Sequence, residues 1–361
     1  MTWVTQFMDG FDHYATADIA AKWTVNSGCT IDSSIFRTSG KALKMGTSQT
    51  GYCFKSVGQA RNFCIGFGFY IAATPPISLI TDAGAAICGV CNNPSTVSDG
   101  QAGLAILSDG KLHAVRGNIA ATQFLSGAVE LGVGSTVLTP AAWHFIELRV
   151  FIDDTGGQFE VKLNGVTEIN LTSVDTKLQT FDYASVFTFG GGNISNTISK
   201  YLDDVYIRTS SSSTAESGGF LGDIKVKPYY PNGDGTYTAM TCSTGSTHYT
   251  LVDEANPTTT DYVSSNTALQ KDSYTFQDVS ETGSIKAVQL SVYAAKDDAG
   301  FRGLDLFTKS GATEDFATSQ TLSTTPLYKL KMWEKDPNTA ADWSQANLNA
   351  AEFGQRISAD I

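Results

Sequence analysis

The segment Phe63-Cys-Ile-Gly-Phe-Gly-Phe-Tyr-Ile71 places a large apolar residue at every odd position. Successive side chains leave a strand on opposite faces, so period two with one apolar face predicts a β-strand lying against a core. The pattern recurs along the chain. In Trp143-His-Phe-Ile-Glu-Leu-Arg-Val-Phe-Ile152, the residues His144, Ile146, Leu148, Val150 and Ile152 share a face. Leu104 to Val115 reads as two strands joined at Asp109-Gly110, and Phe159 to Leu171 as two joined at Asn164-Gly165. Both dipeptides tolerate the positive φ of a tight hairpin turn. Further strands are expected at Leu221 to Val226, Ile285 to Ala294, Leu304 to Thr308 and Pro326 to Trp333, the last with Tyr328, Leu330 and Met332 on one face. One short helix is expected between Asp342 and Phe353, with Asp342 as its cap.

Many short strands with turn signals every 8 to 12 residues or so predict an all-β fold. At 361 residues the chain is long enough for two compact units. A Ser/Gly-rich stretch, Thr209 to Gly219, reads as a flexible connector that buries no apolar area. The expected organisation is therefore a jelly-roll or β-sandwich domain over 1–208, a linker over 209–219, and a second β-sandwich over 220–361. A protease is expected to cut first in the linker.

Net charge is −12 and no basic run occurs, which argues against binding nucleic acid through its phosphates. The first residues lack the basic and apolar regions of a secretory leader, and no apolar stretch approaches the ~18 residues of a membrane span. The expectation is a protein made in a cytosol, without membrane insertion, whose cysteines are thiols when synthesised.

The order of several motifs carries a resemblance. Phe7-Met-Asp-Gly-Phe-Asp-His-Tyr14, Gly40-Lys-Ala-Leu-Lys44, Trp143 to Val150 leading to Leu163-Asn-Gly165, and Tyr201-Leu-Asp-Asp-Val-Tyr-Ile207 together resemble the concanavalin A-like (laminin G-like) superfamily. Gly222-Asp-Ile-Lys-Val226, Tyr230 to Gly235, Tyr249 to Glu254, Ile285 to Val288, Lys296 to Gly300, Trp333 to Asn338 and Ala350 to Gly354 are similar to a module of tailed-bacteriophage virion proteins. These likenesses imply a jelly-roll first domain and a component of a phage particle.

Candidate chemistry is sparse. Glucan-cleaving members of the superfamily carry two Glu with an Asp between them on alternate positions of one strand. Here Glu147 stands alone, and Asp203 and Asp204 are adjacent. The four histidines show no metal spacing, and His144 reads as a core residue bonded to a neighbour. Cys88-Gly-Val-Cys91 has the spacing of a reactive pair, open between a structural thiol pair, a disulfide of the mature particle and a redox site. Asp153, Asp154 and Asp234, with Asp253-Glu254 and Asp297-Asp298, offer carboxylates for calcium, although tight-turn chemistry explains Asn232-Gly-Asp-Gly235 equally.

The expected function is therefore non-enzymatic: a structural protein of a tailed phage, as capsid decoration, head fibre, collar or tail component. It would need no cofactor and self-associate, with a trimer as the first expectation. Its partners would be other virion proteins, such as the major capsid or tail protein. The alternative is a lectin-like module that binds host surface glycans, and a polysaccharide-cleaving enzyme is the third reading.

Overall fold

A computed structural model describes residues 3–38, 40–45, 51–72, 85–92, 100–117, 128–190, 199–317 and 319–359. Its architecture is all-β, and the chain divides into two compact units, Met1–Val226 and Lys227–Ile361. No helix among the described residues is long and apolar enough to cross a membrane.

The first unit is an antiparallel jelly-roll sandwich. Its eight-stranded sheet runs Val166–Val174, Gly157–Leu163, Trp143–Phe151, Asn62–Ala72, Ser199–Ser210, Ala42–Met45 and Thr30–Asp32, with Val4–Asp9 also paired to Ser199–Ser210. Its seven-stranded sheet runs Val129–Val133, Leu112–Arg116, Gly100–Ile106, Ala85–Cys91, Ala184–Gly190, Tyr52–Ala60 and Val25–Ser27. The odd positions Phe63, Ile65, Phe67, Phe69 and Ile71 are buried, and Phe67 meets Phe189 of the other sheet edge to face at 4.9 Å. Asn164 (φ 51°) and Gly165 (φ 82°) form the tight turn between Gly157–Leu163 and Val166–Val174.

A polar knot sits inside this apolar core. The carboxylate of Asp9, wholly buried, accepts from Phe11 N (3.0 Å), Tyr14 Oη (2.6 Å), Lys22 Nζ (3.0 Å) and Trp23 Nε1 (2.8 Å). Burial alone would raise its pKa, but Lys22, His13, Tyr14 and the Phe11 N–H together hold it below the usual carboxylate value. Lys22 comes from the four-residue helix Ile19–Lys22, an element the sequence periodicity does not announce. Its ammonium lies 3.1 Å from His13 Nε2. Burial and that neighbouring charge pull the His13 pKa down to about 3, so the imidazole is neutral and accepts.

The expected flexible linker is instead a strap laid across the outer face of the eight-stranded sheet. Asn62 Nδ2 donates to the carbonyls of Ser212 and Thr214, both at 3.0 Å, and Trp3 Nε1 donates to Ser217 O at 3.0 Å. Arg149 Nη1 reaches Glu216 O (3.1 Å) and Arg208 Nη1 reaches Gly219 O (2.8 Å). Farther on, the N–H groups of Leu221, Gly222 and Val226 donate to Tyr206 Oη (3.1 Å), Glu147 Oε1 (2.9 Å) and Asp204 Oδ1 (2.7 Å). The expected strand at Leu221 to Val226 is therefore absent, its backbone groups taken up by side chains of the sheet, and the first unit extends to Val226 rather than 208. A Ser/Gly-rich stretch can order when polar side chains satisfy its backbone, because small residues let it approach closely.

The second unit packs a six-stranded sheet against a two-stranded one. The larger runs Pro231–Thr238, Lys271–Phe276, Glu352–Ile357, Gly303–Ser310 and Thr313–Phe316, with Gln320–Thr321 also on Gly303–Ser310. The smaller pairs Val288–Ala294 with Leu327–Trp333. Leu290, Leu304, Leu306, Leu322, Trp333, Trp343, Ala351 and Phe353 form the core between them. Tyr328, Leu330 and Met332 do share a face, but it is half-buried, and the core takes the opposite face that carries Trp333. The late helix is confined to Gln345–Asn349 and is capped by Ser344, whose side chain accepts from Asn347 N. Asp342 pairs with Lys335 instead, and Phe353 lies in a strand.

Two outcomes are expected. Asp9→Ala leaves Lys22 buried without its carboxylate and should cost about 3–5 kcal/mol in chemical denaturation, whereas the double change Asp9→Leu with Lys22→Met should cost less. Under limited proteolysis of the native protein, the bonds between Thr209 and Gly219 should resist cleavage, with fragment masses as the readout.

Candidate functional site

Asp153, Asp154, Asp234 and Asp298, four of the carboxylates offered for an ion, are already in use. Asp153 Oδ1 accepts from Thr155 N (3.0 Å) and Gly156 N (2.8 Å), and its Oδ2 pairs with Arg61 at 2.6 Å. Asp154 pairs with Lys177 at 2.9 Å. Asp234 accepts from the backbone of Tyr249 (2.7 Å) and His248 (3.3 Å), fixing the turn at Tyr249–Leu251. Asp298 closes its own turn onto Gly300 and binds Arg302. Among the described residues no three His, Cys, Asp or Glu side chains converge as a metal set.

Cys88 and Cys91 lie on the buried strand Ala85–Cys91 with their paired residues, Phe189 and Val186, in unbroken register. Three residues apart on an extended strand, they leave opposite faces, and Cys91 packs with Phe54 and Val186. A direct bridge between them would require the backbone to move. Burial pushes the Cys88 thiol far up, which disfavours the thiolate. His144 Nε2 donates to Thr139 O (2.9 Å) on the core side of its strand.

Glu147, Asp203 and Asp204 are buried beneath the strap. Glu147 accepts from Tyr206 Oη (2.6 Å) and Gly222 N. Asp203 and Asp204 sit where the strand Ser199–Ser210 breaks register, with Asp204 at φ 52°. Arg37 N donates to Asp203 (2.8 Å), Arg37 Nη1 to Asp204 (2.6 Å) and to Ile224 O (2.8 Å). Asp12 joins them, accepting from Lys41 N at 2.6 Å beside Gly40. A Cβ at Gly40 would stand 2.0 Å from Asp12 Oδ1, and its φ is +90°. Burial raises Asp12 to about 7; burial and the Asp204 charge raise Asp203 to about 8. These acids titrate near neutrality, but both are engaged, Asp203 by Arg37 N and Asp12 by Lys41 N.

On the second unit a shallow open groove of about 450 Å³ runs between the edge strand Pro231–Thr238 and residues 268–271. Thr236, Tyr237, Thr238, Leu269, Gln270 and Lys271 line it. Lys271 Nζ sits 3.7 Å from the centre of the Tyr237 ring and 2.7 Å from Glu314. Thr236 Oγ1 donates to Glu352 at 2.6 Å. Leu269 is 54% exposed and held at φ 66°, a conformation costly for a branched side chain. Its backbone N–H is anchored on Ile357 O at 3.0 Å. No sequence signal marks this groove, since Leu269 carries none of the residue preferences of a left-handed position.

The raised acids give a pH dependence. Asp12 and Asp203 bind protons more tightly folded than unfolded, so their contribution to stability is fully present below about pH 4 and is lost as pH rises through about 7 to 8. His13, neutral in the fold, opposes this only below its usual value near 6.5. Between pH 8 and 6.5 the melting temperature of the first unit should therefore climb on acidification, and Asp203→Asn should flatten the climb.

A scan of protein-family profiles and a search of curated proteins return no match. Solved structures with similar strand arrangements include the cellulose-induced protein Cip1, with 12% identity and a TM-score of 0.40 over 59% of this chain and 100% of that one. The alginate lyase Aly36B gives 14% identity and a TM-score of 0.37 over 56% and 96%. A carbohydrate esterase of the Shiga toxin-encoding bacteriophage phi24B gives 13% and 0.34 over 57% and 100%. At 12–14% identity and TM-scores of 0.34–0.40 the likeness assigns no residue of this chain a role.

Proposed function

We propose that this chain is a non-catalytic glycan-binding protein carried on the surface of a tailed-phage particle. The groove of the second unit is the observation that carries the binding role. It is open to solvent and brings together hydroxyl-bearing residues (Thr236, Thr238), an amide (Gln270), an exposed apolar side chain (Leu269) and an aromatic (Tyr237). That mixture suits a polyhydroxylated chain with polar rims and apolar ring faces, and a shallow groove suits an extended polymer more than a small enclosed ligand. Strain stored at an exposed Leu269 fits a residue held for contact rather than for packing.

The non-catalytic reading is supported by the fate of the carboxylates. Glu147, Asp203 and Asp204 are spent under the strap, where a substrate would have to displace residues 221–226 to reach them. The placement on a particle is supported by the sequence likeness between residues 222 and 354 and phage virion modules. That likeness also favours a second reading, a purely structural subunit with self-association into a trimer.

Host surface polysaccharide titrated into the protein should give saturable binding without release of reducing ends. Leu269→Gly should relieve the backbone strain, leaving the melting temperature equal or higher, yet weaken binding several-fold. Absence of binding to any surface polysaccharide, together with trimers in light scattering, would favour the structural subunit instead.

A further inference from the structure

The charges around the groove of the second unit are matched to one another. The edge strand Pro231–Thr238 pairs Asp234 with Tyr274 and Thr238 with Asp272, so residues 235–237 bulge opposite Ser273. Glu352 fills the bulge. Its carboxylate accepts from Thr236 N (2.7 Å), Thr236 Oγ1 (2.6 Å) and Ser273 Oγ (2.6 Å), and Lys309 Nζ lies 3.3 Å away. A Cβ at Gly235 would stand 2.5 Å from Glu352 Oε2, so the glycine is what admits the carboxylate. Burial alone would raise the Glu352 pKa, but the bonds from Ser273, Thr236 and Lys309 bring it down to about 2, and the group is charged. Lys271, the charged residue of the groove lining, donates to both oxygens of Glu314, at 2.9 and 2.7 Å, and stands over the Tyr237 ring. Tyr237 Oη donates to the same carboxylate.

What this leaves for a ligand is uncharged. Thr236 gives its hydroxyl proton to Glu352, so its oxygen remains as an acceptor only. Ser265 Oγ donates to Gln270 Oε1, while Gln270 Nε2 has no partner among the described residues and remains a donor. Thr238 Oγ1, also without a partner among the described residues, serves as either.

We propose that the groove selects an uncharged glycan over an acidic one. This deepens the glycan-binding reading of the same groove and rests on it. A sugar hydroxyl both donates and accepts, so neighbouring hydroxyls on one ring can give a proton to Thr236 and receive one from Gln270. A carboxylate or sulfate only accepts. It would meet the Thr236 oxygen and lie beside Glu352 and Glu314, whose cations are already bound, on a chain of net charge −12. Charge on the glycan is thus rejected by the pairing of Lys271, not by the groove's shape.

The test titrates the native full chain calorimetrically with dextran, mannan and galactan and with the carboxymethylated form of each, at low and high salt. At least one neutral polymer should bind with an affinity that salt leaves unchanged, and its carboxymethylated form should bind several-fold more weakly. Thr238→Val and Gln270→Ala should each weaken the neutral polymer several-fold. Glu314→Gln releases the Lys271 ammonium and should confer salt-sensitive binding of the carboxymethylated polymer. If that variant fails to fold, the comparison on the unaltered chain decides alone. Equal or tighter binding of the carboxymethylated form by the unaltered chain, or neutral binding indifferent to both Thr238→Val and Gln270→Ala, overturns the selectivity while leaving glycan binding in place. Binding of no polymer of either kind takes down the glycan reading and this inference with it.

Discussion

The first unit is organised around one buried negative charge. Removing a carboxylate from water costs several kcal/mol unless its oxygens are fully bonded, and Asp9 meets that demand with four donors from a single short stretch of chain. The donors at Phe11, Tyr14, Lys22 and Trp23 force that stretch to coil back on itself, which creates the short helix Ile19–Lys22 and delivers the Trp23 indole against Phe7 and Phe189. Because Asp9 closes the strand that pairs with Ser199–Ser210, the same carboxylate ties the start of the sandwich to its last strand. His13 completes the knot only as a neutral base, and its depressed pKa is the electrostatic consequence of lying beside Lys22 in a dry site.

This explains why some of the sequence could be read and some could not. Alternation over Phe63 to Ile71, and the Asp-Gly and Asn-Gly turns, report burial and backbone conformation residue by residue, so strands and hairpins were legible. The words Phe7 to Tyr14 were legible as a likeness, and each polar member proves to have a job in the Asp9 knot or, for Asp12, at Gly40. The strap was misread because Ser-rich composition reports low hydrophobicity, not whether polar side chains elsewhere satisfy the backbone. A signal was present between the apolar positions. A Cβ at Gly66 would stand 2.1 Å from the Tyr206 ring, and one at Gly68 would stand 2.6 Å from Arg37. Glycines at the even positions of that strand therefore mark an outer face that something covers.

The candidate site was less legible still. Among the acids that looked like ion ligands, Asp153, Asp154, Asp234 and Asp298 resolve into turns and ion pairs, each matched to a nearby N–H or cation. The groove of the second unit depends on a strained Leu269 and on the edge strand Pro231–Thr238 meeting residues distant in sequence, which composition and spacing do not record. The helix cap shows the same limit on a smaller scale: Ser344 wins over Asp342 because its hydroxyl reaches Asn347 N, while Asp342 lies nearer Lys335.

The strap has a mechanical consequence. Its attachments from Val226 back to Ser212 are single hydrogen bonds strung in sequence, so tension applied at residue 227 would load them one after another instead of all at once. The strand Ser199–Ser210, by contrast, is paired on both sides, so its ladder bonds would share a load along the strand in shear. Peeling the strap would release roughly 50 Å of extended chain before the sandwich itself carried force. The segment that composition marks as a passive spacer is thus built as an extensible tether that yields first and can re-dock.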